Sequence, residues 1–225
     1  MIKFIGAAGV AASLLLSSPV ASAQSIDGVR LRPLLGIGYG WGGDNLQDVT
    51  LVTVGTNVRY EERVQAGSGI DLRAGLELAF GRSPFSMQIA VAYQGDGVGG
   101  LDNEAVEFRR IPVELVGYWR VSPQFRIGFG VRKAAYASLR FNEGACTKLL
   151  SDGSARCSGD FRFRSNLGLI LESEYELTPN WGLRARYVAE TYQPTRARFG
   201  EEFDVDKSLK FRGDHFGILS VWYLR

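Results

Sequence analysis

A strict alternation of apolar and charged residues between positions 161 and 187 constrains the fold of this chain most. In "FRFRSNLGLILESEYELTPNWGLRARY", successive side chains would lie on opposite faces of an extended strand, so that every second residue shares a face. The apolar face of the first half carries Phe161, Phe163, Leu167, Leu169, Leu171, Tyr175 and Leu177. A soluble β-sandwich would bury this face, whereas a membrane barrel would turn it to lipid and the charges to its lumen. The alternation alone fits both folds, so other features must decide between them.

The first 23 residues have the features of a secretory signal peptide. Lys3 precedes an apolar run at 4–16, and the small residues at 21–23 form the motif that a signal peptidase cleaves. The apolar run is too short to span a membrane. We therefore predict a signal peptide at 1–23 and a single mature domain at 24–225, with an N-terminal membrane anchor or a buried helix as the alternative.

Eight segments of the chain repeat the alternation. They cover residues 29–41, 69–80, 85–94, 110–120, 125–132, 161–177, 181–190 and 215–225. No apolar run after residue 23 approaches the ~20 residues of a spanning helix, so any membrane crossing is made by strands. The last segment, "HFGILSVWYLR", is apolar on both faces, which leaves its register open.

The connections between these segments are of two kinds. Three are short and contain a hydroxyl residue followed by proline, which is typical of tight turns: "GRSP" (81–84), "VSPQ" (121–124) and "TPN" (178–180). Four are long, at 42–68, 95–105, 141–160 and 193–210. Short periplasmic turns opposite long extracellular loops are typical of outer-membrane barrels. In the first long connection, the Val and Thr residues of 50–64 predict a hairpin above the membrane.

Aromatic residues flank each short turn on the apolar face. They are Phe80, Phe85, Trp119, Phe125, Tyr175 and Trp181. With lipid outside, these six side chains would form a girdle at the periplasmic interface, where aromatic rings are enriched. A soluble sandwich gives no reason for the same placement at three turns.

The polar faces mix charges of both signs. If they line a lumen, we predict that the interior contains Arg30, Arg32, Asp71, Arg73, Glu77, Arg110, Glu114, Arg126, Arg132, Arg164, Glu172, Glu174, Arg184, Arg186 and Glu190. Opposite charges that face a narrow interior can pair across it, which offsets the desolvation cost of burial. The alternative is a solvated outer face with scattered charges. The signal peptide, the turns and the girdle favour the arrangement with lipid outside.

These features together resemble the small outer-membrane barrels of Gram-negative bacteria, the class that includes the barrel domain of outer membrane protein A, the opacity proteins and the W-type proteins. The resemblance implies an all-β, antiparallel, eight-stranded transmembrane up-and-down barrel with three short periplasmic turns and four longer extracellular loops. It also implies outer-membrane lipid and lipopolysaccharide as surroundings and insertion by the barrel assembly machinery. Family members commonly end on an aromatic residue, whereas this chain ends in "WYLR".

The two cysteines, Cys146 and Cys157, lie in a polar stretch between two strand patterns. In an exported protein such a pair is most simply a disulfide that closes a surface loop. A metal site would need more ligands nearby, and the one histidine of the chain is His215. We therefore predict a disulfide and no metal site.

The expected function is non-enzymatic, with a structural or surface-interaction role through the extracellular loops and an unknown loop ligand. An eight-stranded barrel is just wide enough for its interior side chains, so a charged lumen excludes a general porin. The 26 basic and 24 acidic residues nearly balance, which gives no reason to expect a nucleic-acid partner. We predict no catalytic residue and no cofactor.

Two alternatives stay open. The first is a narrow channel or conduit for small molecules, which the lumenal charges disfavour. The second is a lipid-modifying membrane enzyme, which would need a hydroxyl nucleophile within reach of a histidine base. In an extended strand Ser220 lies on the face opposite His215, and Asp214 is better explained as a charge at the end of a loop.

Overall fold

The computed structural model describes residues 25–26, 28–52, 59–100, 103–148, 155–199 and 201–224. The predicted signal peptide lies outside these residues and stays a prediction. In the described part of the chain, no helix is long and apolar enough to cross a membrane. In chain order the strands are β1 (Ser25–Ile26), β2 (Val29–Gly42), β3 (Asn45–Val52), β4 (Arg59–Gln65), β5 (Gly69–Phe80), β6 (Phe85–Gly100), β7 (Asn103–Arg120), β8 (Phe125–Lys148), β9 (Ala155–Ser165), β10 (Gly168–Thr178), β11 (Trp181–Ala189), β12 (Thr191–Phe199), β13 (Glu201–Phe203), β14 (Phe211–Arg212) and β15 (His215–Tyr223).

Eight of these strands form a closed antiparallel ring. The order around the ring is β2, β5, β6, β7, β8, β10, β11 and β15. Strand β15 returns to β2, with Tyr223 opposite Leu34 and His215 opposite Gly42, and this pairing fixes the register that the sequence left open. The prediction of an eight-stranded up-and-down barrel is therefore confirmed.

The outer surface of the ring is a continuous apolar belt. Each barrel strand contributes a large apolar side chain with an exposed fraction from 44 % to 62 %: Ile37, Leu72, Ile89, Leu115, Phe129, Leu171, Leu183 and Ile218. A soluble monomer rarely exposes a contiguous apolar surface of this extent, whereas a barrel in a bilayer must. The leucines of the alternating segments therefore face lipid, and the barrel is transmembrane.

Beyond the membrane belt, the sheet continues on one side of the barrel only. The first part of β8 pairs with β10 as far as Arg132, and its second part pairs with β9 from Ser138 onwards. Strand β9 then pairs with β12, and β12 pairs with β13. We call the far ends of β6, β7 and β8, together with β9, β12 and β13, the outer sheet. Much of the predicted loops at 95–105 and 141–160 is therefore strand, because β6 pairs with β7 as far as Gly100 opposite Asn103, and β8 pairs with β9 as far as Lys148 opposite Ala155.

The structure divides the predicted segment 161–177 into the two strands β9 and β10, which differs from the prediction of one strand. The exposed residues Asn166 and Leu167 lie between them and shift the alternation by one position. As a result Phe161 and Phe163 pack inward, whereas Leu169 faces lipid. The physical reason is that β9 stands above the membrane and covers an apolar core, while β10 belongs to the membrane wall.

The hairpin expected in the first long connection consists of β3 and β4, which pair from Asn45 opposite Gln65 to Val52 opposite Arg59. Two glycines with positive φ, Gly42 (128°) and Gly43 (86°), let the chain leave β2 and turn into this hairpin. The base of the hairpin packs against the inner face of the outer sheet. It therefore covers the loop end of the barrel.

Candidate functional site

The barrel lumen is filled by buried charged side chains, each at most 4 % exposed. We call this set the lumenal charge network, and it consists of Asp71, Arg73, Glu77, Arg110, Glu114, Arg126, Arg132, Glu172, Glu174, Arg184, Arg186 and Glu190. The set contains as many arginines as carboxylates, so its formal charges cancel. This balance is what a desolvated interior requires.

In the half of the network nearer the short turns, Glu174 is the central acceptor. Its carboxylate lies 2.6 Å from Arg184 and 3.0 Å from Arg126, and it accepts a hydrogen bond of 2.7 Å from the Tyr223 hydroxyl. Arg126 also reaches Glu77 at 2.9 Å. These contacts join five strands, β5, β8, β10, β11 and β15, across the lumen, so the charges hold the wall together.

In the half nearer the long loops, Glu114 takes the same position. Its carboxylate lies 2.9 Å from Arg73, 3.0 Å from Arg186 and 3.2 Å from Arg132. Asp71 pairs with Arg73 at 2.6 Å on its other side. Charge-assisted contacts of this kind are the strong ones, because both partners are ionised and shielded from water.

Inward-facing glycines provide the space for these long side chains. A Cβ atom on Gly36 would lie 2.8 Å from Cγ of Arg73, and one on Gly128 would lie 2.6 Å from the ring of Tyr118. Either contact is too close for a real Cβ atom. The glycines that alternate with charges on the polar faces therefore determine how the network packs.

Arg110 stands at the loop-side end of the network and makes its contacts with backbone. It donates hydrogen bonds to the carbonyl oxygens of Ala66 (2.5 Å) and Ser68 (2.6 Å), in the segment that follows β4. Its guanidinium carbon also lies 5.3 Å from the ring centroid of Phe108. Arg110 therefore connects the charged lumen to the apolar region above it.

Above the network, the same interior is apolar. We call the buried cluster at this end the apolar cap, and it consists of Val64, Ala66, Val106, Phe108, Ala134, Ala137, Leu139, Phe141, Tyr192, Ala197 and Phe199. Phe108 packs edge-on against Phe163 (5.5 Å between centroids) and Tyr192 (5.4 Å). Burial raises the pKa of the Tyr192 phenol above its ordinary value. The cap closes the loop end with a second, chemically different barrier.

Three residues predicted in the lumen have other positions. Arg32 lies at the turn-side mouth, 3.7 Å from Glu77, and Arg30 is exposed and lines a cavity of about 520 Å³ at the same mouth. Arg164 is exposed on the outward face of β9, which corrects its predicted place in the lumen. The one-residue shift between β9 and β10 is the reason, because it exchanges the inward and outward faces.

The lumen also contains several buried polar side chains that are not among the predicted interior charges. They are Gln88, Gln94, Tyr118, His215 and Tyr223. Tyr118 donates a hydrogen bond to Glu172, and Tyr223 contacts both Glu174 and Arg126. The sequence signal for Tyr118 was its position: it lies four residues after Glu114 and therefore shares the inward face of β7. An inward aromatic hydroxyl in a charged lumen has carboxylate acceptors nearby.

The six predicted girdle residues lie on the outer surface at the turn end. Phe80 stacks on Phe85 at 5.8 Å, and Phe85 is opposite Trp119 in the β6–β7 pairing. Trp181 is opposite Trp222, which joins the same end and was missed. A second group at the other end of the belt, also missed, contains Tyr39, Trp41, Tyr93, Tyr187 and Phe216. Aromatic residues therefore mark both edges of the lipid-facing surface.

Cys146 and Cys157 are directly opposite each other in the β8–β9 pairing. Directly opposed residues of antiparallel strands have Cα atoms about 4.5–5.5 Å apart, within the range of about 4.4–6.8 Å that disulfides span. The side chains at these positions lie outside the described part of the structure. The disulfide therefore stays a prediction, with a backbone register suited to it.

The histidine and serine of the enzyme alternative are separated by the barrel wall. His215 is buried, and its Nδ1 lies 2.8 Å from the carbonyl oxygen of Gly213. Ser220 instead accepts a hydrogen bond from the indole of Trp181 on the outer surface, and Asp214 accepts one from the backbone of Glu190. These three residues form no catalytic constellation. Over the residues with described positions, no group of three or more His, Cys, Asp or Glu is arranged to hold a metal ion.

No protein-family model matches this chain, and no curated protein matches it in sequence. Solved structures of outer-membrane barrels are similar to it at low identity. Ail, the attachment invasion locus protein of Yersinia pestis, solved with the heparin analogue sucrose octasulfate, is 10% identical, with a TM-score of 0.45 over 88% of this chain and 99% of that one.

Two further barrels give comparable values. Neisserial surface protein A is 10% identical, with a TM-score of 0.43 over 87% of this chain and 99% of that one. The outer membrane protein AlkL, solved in lipid bilayers, is 14% identical, with a TM-score of 0.43 over 92% and 95%. At these values the likeness brings no function to the chain, whose strand pairing and surface themselves define a closed eight-stranded transmembrane barrel.

Proposed function

We propose that this chain is a non-enzymatic outer-membrane barrel of a Gram-negative envelope, with a structural or surface-interaction role at its loop end. The observation that carries the proposal is the double closure of the interior, by the lumenal charge network and then by the apolar cap. An interior closed in this way stabilises the wall and offers no path for solutes. Function then belongs to the surface that the barrel presents.

The outer sheet supports the surface-interaction part of the proposal. Its strands continue those of the barrel wall, and the apolar cap packs against its inner face, so it projects from the membrane as a fixed platform. Recognition surfaces are commonly carried by loops that a rigid scaffold positions. The predicted disulfide between Cys146 and Cys157 would fasten the outer edge of this platform.

The remaining parts of the proposal concern location and assembly. Export through a cleaved signal peptide at 1–23, insertion by the barrel assembly machinery, and contact with outer-membrane lipid and lipopolysaccharide all fit a barrel with an apolar belt between two aromatic edges. The separation of His215 from Ser220 supports a role without catalysis.

Planar-bilayer conductance of the refolded mature chain tests the proposal, after a heat-modifiable gel shift has established that the barrel has formed. We expect no ion conductance, because each arginine of the lumen other than Arg110 is paired with a carboxylate and the cap lies in series with them. Reproducible ion steps would overturn the proposal and favour the alternative, a narrow conduit for small molecules.

A further inference from the structure

The barrel wall has a gap where the outer sheet separates from the barrel. Strand β8 pairs with β10 up to Arg132 and with β9 from Ser138, so the residues 133–137 between them have no ladder partner on that side among the described strands. The Ser165 hydroxyl bridges the gap, accepting from the Ala134 N–H (2.8 Å) and donating to its carbonyl (3.3 Å). A cavity of about 460 Å³ opens on the outer wall at this point.

A bulge in the neighbouring strand pair lies beside the gap. The register of β7 against β8 shifts between Ile111 and Pro112, which leaves Ala135 as the extra residue on β8. Proline cannot donate a ladder hydrogen bond and is tolerated in sheets at bulges. The gap is therefore a built feature of the wall.

The chemistry of this cavity is amphipathic. We call it the basic notch, and the residues that line it are Val113, Lys133, Ala134, Ala135, Phe163, Arg164 and Thr195. Its floor is apolar, because four of these side chains are hydrocarbon. Its rim is cationic, because Lys133 and Arg164 are both exposed there.

The basic notch lies at the edge of the lipid-facing belt. Val131 is the last apolar outward residue of β8 before Lys133, and the exposed Leu167 precedes β10 on the other side of the gap. Elsewhere the belt ends in aromatic side chains such as Trp41 and Phe216. At this edge Lys133 and Arg164 occupy the level at which the rest of the barrel has aromatic side chains. Lipid headgroups contact the protein at that level.

Three cations near the notch lack carboxylate partners. Across the described residues, Lys133, Arg164 and Arg196 form no ion pair with a carboxylate within 4 Å. Arg196 is directly opposite Arg162 in the β9–β12 pairing, and like charges in that relation destabilise a sheet. One carboxylate, Asp160, offsets Arg162 at 2.7 Å. The surface therefore has an excess of positive charge that an external anion would relieve.

We propose that the basic notch binds the phosphorylated headgroup of a lipid in the surrounding leaflet. A phosphate lies between Lys133 and Arg164, and an acyl chain covers Val113 and Ala135 below them. The inference rests on the outer-membrane placement proposed above, where the leaflet facing the loops carries phosphorylated glycolipid. A free anion would satisfy the rim but would leave the apolar floor uncovered.

Lipid titration of the refolded chain tests this proposal. The protein is placed in uncharged maltoside micelles, lipid A with two phosphates is added, and bound lipid is counted by native mass spectrometry. The notch variant is Lys133→Gln/Arg164→Gln. The matched control is Lys207→Gln/Lys210→Gln, which removes two exposed cations elsewhere at the loop end.

We expect the control to bind lipid A as the unchanged chain does and the notch variant to bind at least tenfold more weakly. Lipid A without phosphates should bind as weakly as the notch variant does, and inorganic phosphate at equal concentration should displace nothing. Equal binding by the notch variant and the control would overturn the proposal, and so would displacement by inorganic phosphate. A heat-modifiable gel shift for every variant, together with absent conductance, separates failure of the notch from failure of the proposed function.

Discussion

The interior of this barrel is filled by charged side chains at membrane level and by apolar side chains at the loop end. Along β7 the inward residues change from Glu114 and Arg110 at membrane level to Phe108 and Val106 above it. The outward face changes in the opposite sense, because it meets lipid below and water above. The medium outside the wall therefore selects the side chains inside it. A narrow barrel in lipid turns its polar residues inward, and the same strands in water surround an ordinary apolar core.

This difference has an energetic consequence. The lumenal charge network depends on completeness, since a buried charge that loses its partner costs more than the pair contributed. The apolar cap depends on contact area, since each truncated side chain costs in proportion to the contact and the cavity. Damage to the network should therefore spread through the barrel wall, and damage to the cap should stay at the loop end.

The largest expected effect is that of Glu174→Ala. The substitution leaves Arg126 and Arg184 without their shared carboxylate, and we expect the free energy of unfolding to fall by about 3–5 kcal/mol. Urea titration of the barrel folded in vesicles, followed by tryptophan fluorescence, measures it. The double variant Glu174→Ala/Arg184→Ala should lose less than the sum of the two single variants. A loss below about 1 kcal/mol, the range of a surface pair, for the single variant would contradict a coupled network.

The second largest effect is expected in the apolar cap. Leu139→Ala removes a side chain that is 4 % exposed in the apolar cap, and we expect a cost of about 2–5 kcal/mol confined to the loop end. Limited proteolysis should cleave the outer sheet faster, while the heat-modifiable gel shift of the barrel stays unchanged. Leu183→Ala, in the lipid-facing belt, is the control and should leave proteolysis of the outer sheet as it was. Loss of the gel shift in Leu139→Ala would show that the two ends are one cooperative unit.

Reduction of the predicted disulfide tests whether the stability of the outer sheet is separate from that of the barrel. Closing the short loop between Cys146 and Cys157 should stabilise the outer sheet by about 2–3 kcal/mol through the entropy of the unfolded loop. Added reductant should therefore speed proteolysis near β8 and β9 and leave the barrel melting temperature unchanged. The variant Cys146→Ser/Cys157→Ser should be insensitive to reductant. Free thiols in the oxidised protein, detected by alkylation and mass spectrometry, would refute the disulfide.

The smallest effect is expected for a partly exposed ion pair. It tests whether burial, and not pairing alone, determines how much an ion pair contributes to stability. Arg120 pairs with Glu176 at 2.6 Å near the short turns, but its side chain is 34 % exposed. We expect Arg120→Gln to cost less than about 1 kcal/mol, because water screens and replaces a partly exposed pair. The same urea titration measures it. A cost as large as that of Glu174→Ala would mean that the turn-side mouth belongs to the buried network.

Much of the barrel could be predicted because its determinants are local. The alternation in "GIDLRAGLELAF" determines which side chains of β5 face lipid, and proline-containing turns determine where the chain reverses. The same pattern predicts Glu77, Glu174 and Arg184 on inward faces, where the structure buries them. For Arg164 the predicted face is wrong, because the shift of one residue between β9 and β10 is not visible in a pattern that looks uninterrupted.

The sequence alone was enough to predict the faces of the membrane strands, the barrel class and the aromatic edge at the short turns, because each depends on residues within a few positions of one another. The pairs that cross the lumen, such as Arg126 with Glu77 and Arg186 with Glu114, are visible in the tertiary structure alone, since those partners come from strands that are distant in sequence. The tertiary structure also decided that the wall opens between β8 and β10 and that the loop end is filled by an apolar cap. Both depend on where β8 exchanges one neighbour for another, and that choice rests on packing energy summed over several strands.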